Sequence, residues 1–165
     1  MQKLLITAAI ASALLAAACG GTTPSAAASS PSPNPSPSAA ASPAAAGTTI
    51  AVATNAKLGQ ILVDGKGMTV YLFVADTGTS STCYTSCAAV WPPVLATGAP
   101  QAGAGSTASL LGTTTRTDGK IEVTYAGHPL YYFIQDKAAG DTTGQGINGF
   151  GGLWWVLTPS GAAMH

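Results

Sequence analysis

The chain has 165 residues and carries little charge: six Lys and Arg stand against six Asp and Glu, 7% of the sequence. That balance excludes a nucleic-acid surface, which needs a Lys/Arg cluster, and a polybasic membrane patch. Low charge with abundant Gly, Ala, Ser and Thr suits a secreted chain rich in strands and turns.

Lys3 precedes an uncharged apolar run from Leu4 to Ala18. The run is too short for a permanent bilayer span and reads as a signal peptide over residues 1–18. It ends in Ala16-Ala17-Ala18-Cys19-Gly20. Small residues ahead of a cysteine resemble the lipobox of bacterial lipoproteins, whose cysteine is diacylated and becomes the mature N-terminus. Ala16 stands where Leu is commonest there. Lipidation, with palmitate among the acyl chains, would account for Cys19 as the odd one of three cysteines. Residues 19–47 then form a tether. From Gly20 onward it holds only Gly, Ala, Ser, Thr, Pro and one Asn. Such a stretch has nothing with which to bury a core and is predicted to be disordered. Its Pro-Ser alternation from Pro31 to Pro37 favours polyproline II, a spacer of about 3 Å per residue.

Residues 48–165 are expected to form one all-β domain. Thr48–Ala53 alternates as a strand, and Gly59–Val63 reads as a second. Asp64-Gly65-Lys66-Gly67 is turn chemistry leading into a return strand, Met68–Val74. There Val70, Leu72 and Val74 share one face and Tyr71 and Phe73 the other. Both faces are apolar, which predicts burial on both sides. A short helical turn is allowed between Cys83 and Val90, and Pro92-Pro93 forces an extended exit. Ala96–Ser109 is a small-residue loop. Thr113–Thr117 and Ile121–Tyr125 flank the turn Asp118-Gly119-Lys120. A second turn at Ala126-Gly127-His128-Pro129 leads into Leu130–Ile134, a Gly-rich loop spans Gly140–Gly152, and Leu153–Leu157 is the last strand.

The chain repeats itself. Gly67-Met68-Thr69-Val70-Tyr71-Leu72-Phe73-Val74-Ala75-Asp76 aligns with Gly127-His128-Pro129-Leu130-Tyr131-Tyr132-Phe133-Ile134-Gln135-Asp136, sharing Gly, Tyr, Phe and Asp. One supersecondary unit is used twice, with repeat one over about 57–96 and repeat two over about 113–161. Trp91-Pro92-Pro93-Val94-Leu95 and Trp154-Trp155-Val156-Leu157 are counterparts. Two tandem repeats packed as one small sandwich or barrel-like domain follow as the expected architecture. Asp76 and Asp136 recur at equivalent strand ends, where a carboxylate accepts loop N–H groups and fixes a turn.

These residues carry a family resemblance. Tyr71-x-Phe73-x-x-Asp76, Cys83-x-x-x-Cys87-Ala88, Trp91-Pro92-Pro93 and the second-half elements Gly127-His128-Pro129, Tyr131-x-Phe133-x-x-Asp136 resemble the tandem-repeat secreted lipoproteins with the Tyr-x-[Phe/Trp/Tyr]-x-x-Asp motif. That family is a secreted repeat of unknown function. The resemblance spans most of Lys57 to Gly161 and implies a lipoprotein outside the cytoplasm, lipid-anchored to the bacterial membrane. It imports no reaction.

Cys83 and Cys87 lie in an oxidising compartment, where a local disulfide is the default. The sharper reading makes them soft ligands for copper, joined by His128 or Met68, which share one register position in the two repeats. Gly144-x-Gly146-x-x-Gly149 neither follows a βαβ strand nor opens a helix, so it is a loop and not a dinucleotide site. No catalytic constellation emerges, and the chain is expected not to be an enzyme. Two functions stay open: a non-catalytic module for a cell-wall polymer, small ligand or envelope protein, and an extracytoplasmic redox or copper-handling protein built on Cys83 and Cys87.

Overall fold

A computed structural model of the chain describes residues 47–165. The expected signal peptide, Cys19 and the expected tether up to residue 46 lie outside the described residues. The alternating stretch Thr49–Asn55 forms β1 and Gly59–Asp64 forms β2, paired as an antiparallel hairpin with Ile50 opposite Asp64. Asn55 makes their turn: its side-chain oxygen accepts the N–H groups of Lys57 and Leu58 at 2.9 and 3.0 Å. Strand β3 is only Tyr71–Phe73. A five-residue helix, α1, spans Ser86–Val90. The small-residue loop after it contains a two-residue strand, β4 (Gln101–Ala102), parallel to β1. Strands β5 (Leu111–Thr115), β6 (Ile121–Tyr125) and β7 (His128–Pro129) form an antiparallel sheet, while β8 (Asn148–Gly149) and β9 (Gly152–Val156) form a hairpin. The three sheets run β2-β1-β4, β3-β9-β8 and β5-β6-β7. The fold is all-β and sandwich-like, with no closed barrel among the described residues.

The expected return strand Met68–Val74 is not a full hairpin partner of β2. Only a Val63–Thr69 bridge joins them, and Tyr71–Phe73 pairs instead with β9, Phe73 facing Trp154. Repeat two mirrors this. Tyr132 N–H donates to Pro92 and Ile134 N–H to Val90, as Val74 N–H donates to Leu153. Each motif strand is therefore partnered by the Trp-bearing segment of the other repeat. Prolines 92 and 93 lack N–H donors, so that second ladder is reduced to bridges such as Pro93–Tyr131. Tyr71 and Tyr131 exchange backbone hydrogen bonds of 2.8 and 2.9 Å, which puts a pseudo-twofold axis between them.

Alternation on the motif strands divides the interior. Tyr71, Phe73, Tyr131 and Phe133 enter one core with Trp91, Trp154 and both cysteines. Val70, Leu72 and Leu130 enter a second with Ile50, Val94, Val123 and Leu157. Alternation places Val74 beside Val70 and Leu72, yet it is 54% exposed, and its counterpart Ile134 is 49% exposed. Both stand just past the point where the chain turns toward the motif aspartate.

Candidate functional site

The pseudo-twofold axis is where the repeated residues converge. Phe73 stacks on Trp154 at 4.0 Å, Trp154 on Trp91 at 4.0 Å, and Trp91 on Phe133 at 4.2 Å. Two tryptophans and two phenylalanines thus form one column, each Trp lying against the motif Phe of the other repeat. Tyr71 meets Trp91 edge-on at 5.3 Å and Tyr131 meets Trp154 edge-on at 5.2 Å. Stacked and edge-to-face contacts of this kind each stabilise by about 0.5–1.5 kcal/mol beyond area burial.

The hydroxyls of the two tyrosines cross over. Tyr71 donates to Asp136 Oδ2 and Tyr131 donates to Asp76 Oδ2, both at 2.6 Å. Asp76 Oδ1 accepts the N–H and hydroxyl of Thr82 at 2.7 and 2.6 Å, and Asp136 Oδ1 accepts those of Thr143 at 2.9 and 2.5 Å. Each aspartate therefore fixes its own loop, as expected from its strand-end position, and also holds the other repeat's tyrosine, which the sequence pattern did not reveal. Burial raises both phenols above their ordinary range, and the partner carboxylates raise them further.

The two ends of this arrangement differ in chemistry. Next to Tyr71 stands Gly144, whose N–H donates to the phenol oxygen at 3.3 Å. A Cβ there would lie 2.7 Å from Trp91 and 2.9 Å from Tyr71, so only glycine fits. Next to Tyr131 stands Ser81, 2.7 Å from the phenol oxygen. Arg116 reaches the same place, donating to Ser81 Oγ at 2.7 Å, to the Cys83 carbonyl at 2.6 Å and to Glu122 Oε2 at 2.8 Å. Its guanidinium also covers the Tyr84 ring at 4.4 Å. Arg116 is 3% and Glu122 0% exposed, while Glu122 Oε1 has no hydrogen-bond partner. Loss of hydration pushes the Glu122 carboxyl up to about 7 although Arg116 pulls it down. Sequence reasoning missed this ion pair, because the alternation Ile121-Glu122-Val123 puts Glu122 on the face opposite the apolar residues, where a charge reads as solvent-exposed.

Cys83 and Cys87 form a disulfide with their Cα atoms 5.2 Å apart. The small ring contributes about 2 kcal/mol in the chain-entropy account. Both sulfurs are thereby engaged and buried in the aromatic core. His128 sits half-buried on β7, beside Leu72, Val74, Asp76 and His165 around a small cleft. Met68 closes the turn after β2, its N–H bound to Asp64 Oδ1 at 2.9 Å. Among the described residues no three His, Cys, Asp or Glu side chains gather as a metal site, so Cys83, Cys87 and His128 do not converge.

A family described as a secreted repeat of unknown function matches residues 52–95 and again residues 112–158. No curated protein and no solved structure matches the chain. The two matched segments are the two halves related by the axis between Tyr71 and Tyr131, and a secreted repeat works outside the cytoplasm. The chain belongs to this family of secreted repeats.

Proposed function

We propose that the chain is a bacterial cell-envelope lipoprotein, held to the membrane by diacylated Cys19, whose β domain is a non-catalytic module for a wall polymer, small ligand or envelope protein. The observation that carries this reading is the internal use of the repeat motif. Tyr71, Tyr131, Asp76 and Asp136 bind one another and their own loops across the axis, so the residues that recur build a frame. A frame with two apolar cores and interlocked halves offers a rigid surface, the property a binding module needs. The membrane attachment rests on the apolar run ending in small residues ahead of Cys19.

Mass spectrometry of the native membrane fraction is expected to show an N-terminal diacylglycerol-modified Cys19, and Cys19→Ser is expected to abolish palmitate labelling. An unmodified N-terminus at another residue overturns the anchor. Saturable co-sedimentation with isolated cell walls, or specific cross-links to an envelope protein, is expected for the module. Tight stoichiometric Cu(I) binding by the reduced protein would overturn it in favour of copper handling.

A further inference from the structure

The two repeats treat one sheet edge differently. The bridges Val63–Thr69 and Thr124–Pro129 are counterparts, which sets Asp64 against Tyr125. Ile50 pairs with Asp64 and Leu111 with Tyr125, so β1 and β5 are the same strand in the two copies. In repeat one the outer edge of β1 is covered. Gln101 N–H donates to the Thr48 carbonyl at 2.9 Å, Gly103 N–H to Ile50 at 2.7 Å, and Val52 N–H to the Ala104 carbonyl at 2.8 Å. The covering segment is parallel to β1. In repeat two, Ala126 N–H bonds Leu110 and Arg116 N–H bonds the Lys120 carbonyl. Alternation along an antiparallel ladder then turns Gly112 and Thr114 toward β6, and turns Leu111, Thr113 and Thr115 outward. The Leu111 carbonyl and the Thr113 N–H, counterparts of the Ile50 and Val52 groups, have no further backbone partner among the described residues.

We propose that the open edge of β5 is a docking site for an extended Ala/Gly-rich segment of an envelope partner, which adds as a parallel strand in the way β4 adds to β1. Three observations support it. The edge carries none of the usual guards, since Leu111, Thr113 and Thr115 include no Lys and no Pro. The site is continuous with the existing strand-addition contact: an apolar groove lined by Ala96, Ala99, Pro100, Leu111 and Ile121 joins the approach to β4 with β5. The internal example also states the occupant's chemistry. A Cβ on Gly103 would lie 2.8 Å from Ala51 Cβ, and one on Gly105 would lie 2.9 Å from Val52 Cβ. Their counterparts on β5 are Gly112 and Thr113. The docked strand therefore stays glycine opposite Thr113; opposite Gly112 it loses only the Ala51 methyl contact, since the Thr49 side chain that also crowds Gly103 at 3.0 Å has Leu110 as its counterpart. Main-chain hydrogen bonds supply the affinity of such added strands and side-chain clearance supplies the selectivity.

The inference rests on the reading of the domain as a binding module but is tested apart from the anchor. The probe is a capped peptide with the sequence of residues 100–106, titrated into the isotopically labelled full chain and followed by NMR. Saturable shifts of the Leu111–Thr115 amides and slowed exchange of the Thr113 amide, the counterpart of Val52, are expected. They should vanish in Thr113→Pro, which removes the outward donor, and in a peptide with Val at both glycines. If Thr113→Pro does not fold, Thr113→Lys guards the same edge and should weaken binding. Unchanged amides at millimolar peptide overturn the proposal, as would equal binding by the Val peptide. Concentration-dependent shifts of the same amides without peptide would show that a second copy covers the edge, and would overturn it too. None of these results bears on whether Cys19 carries lipid.

Discussion

The two tyrosine–aspartate sites are built from the same motif and finished with different materials. Tyr71 and Asp136 are closed by a glycine N–H, with Ile61 at the position that Glu122 holds in the other copy. Tyr131 and Asp76 are closed by Ser81, Arg116 and Glu122, and flanked by the disulfide. What both copies keep is the part that joins them: the tyrosine, the aspartate, the threonine on its second oxygen, and the Trp–Phe stack. What they vary is the filling around it. An apolar filling costs nothing to desolvate. A buried ion pair must recover the hydration of two charges, and Glu122 leaves one oxygen without a partner. The comparison makes the Tyr131–Asp76 site the more fragile of the two.

The largest effect should come from breaking that pair. Arg116→Met leaves the Glu122 carboxylate buried without a countercharge, and denaturant unfolding at pH 8 is expected to show a loss of about 3–5 kcal/mol. Adding Glu122→Ile gives repeat two the filling of repeat one and should recover more than half of the loss. A double variant no better than Arg116→Met alone would show that the pair does more than fill space.

A smaller effect separates the two phenols. Tyr71→Phe removes one donor from Asp136, which keeps both Thr143 contacts, and should cost about 1.5–3 kcal/mol. Tyr131→Phe removes the same donor from Asp76 and also leaves Ser81 and Arg116 with a disrupted network. It should cost about 1 kcal/mol more in chemical denaturation. Equal losses would mean that the polar filling is uncoupled from the motif.

Much of the frame was legible in the sequence because it depends on local pattern. The Tyr-x-Phe alternation announces a strand buried on both faces, and Asp76 and Asp136 announce a carboxylate that caps its own loop. The disulfide follows from compartment and spacing. The crossing of the halves was not legible, because local alternation cannot say which strand a buried strand pairs with. Proximity in the chain points Met68–Val74 to β2, whereas the match of Phe73 to Trp154 draws it to β9. The polar filling stayed hidden for a similar reason. Arg116 and Glu122 look like surface residues on a hairpin until Ser81 and Cys83, more than thirty residues away in the chain, close over them.

The smallest effect is a slope. The Glu122 carboxyl is at about 7 in the folded chain against an ordinary value of 4.5, because burial outweighs the pull of Arg116. Asp76 raises it further, and Ser81 lowers it. Between those pH values the folded chain holds a proton that the unfolded chain has lost. Its contribution to stability is therefore complete below about pH 4.5 and is lost as pH rises through about 7. One proton limits the slope to about 1.4 kcal/mol per pH unit. Repeat one has Ile61 at this position and contributes no such term, so the whole slope from this position should belong to repeat two. Glu122→Gln keeps the shape, removes the titration, and should flatten the stability profile over that window. An unchanged slope in Glu122→Gln would assign the pH dependence to another group and would remove this difference between the halves.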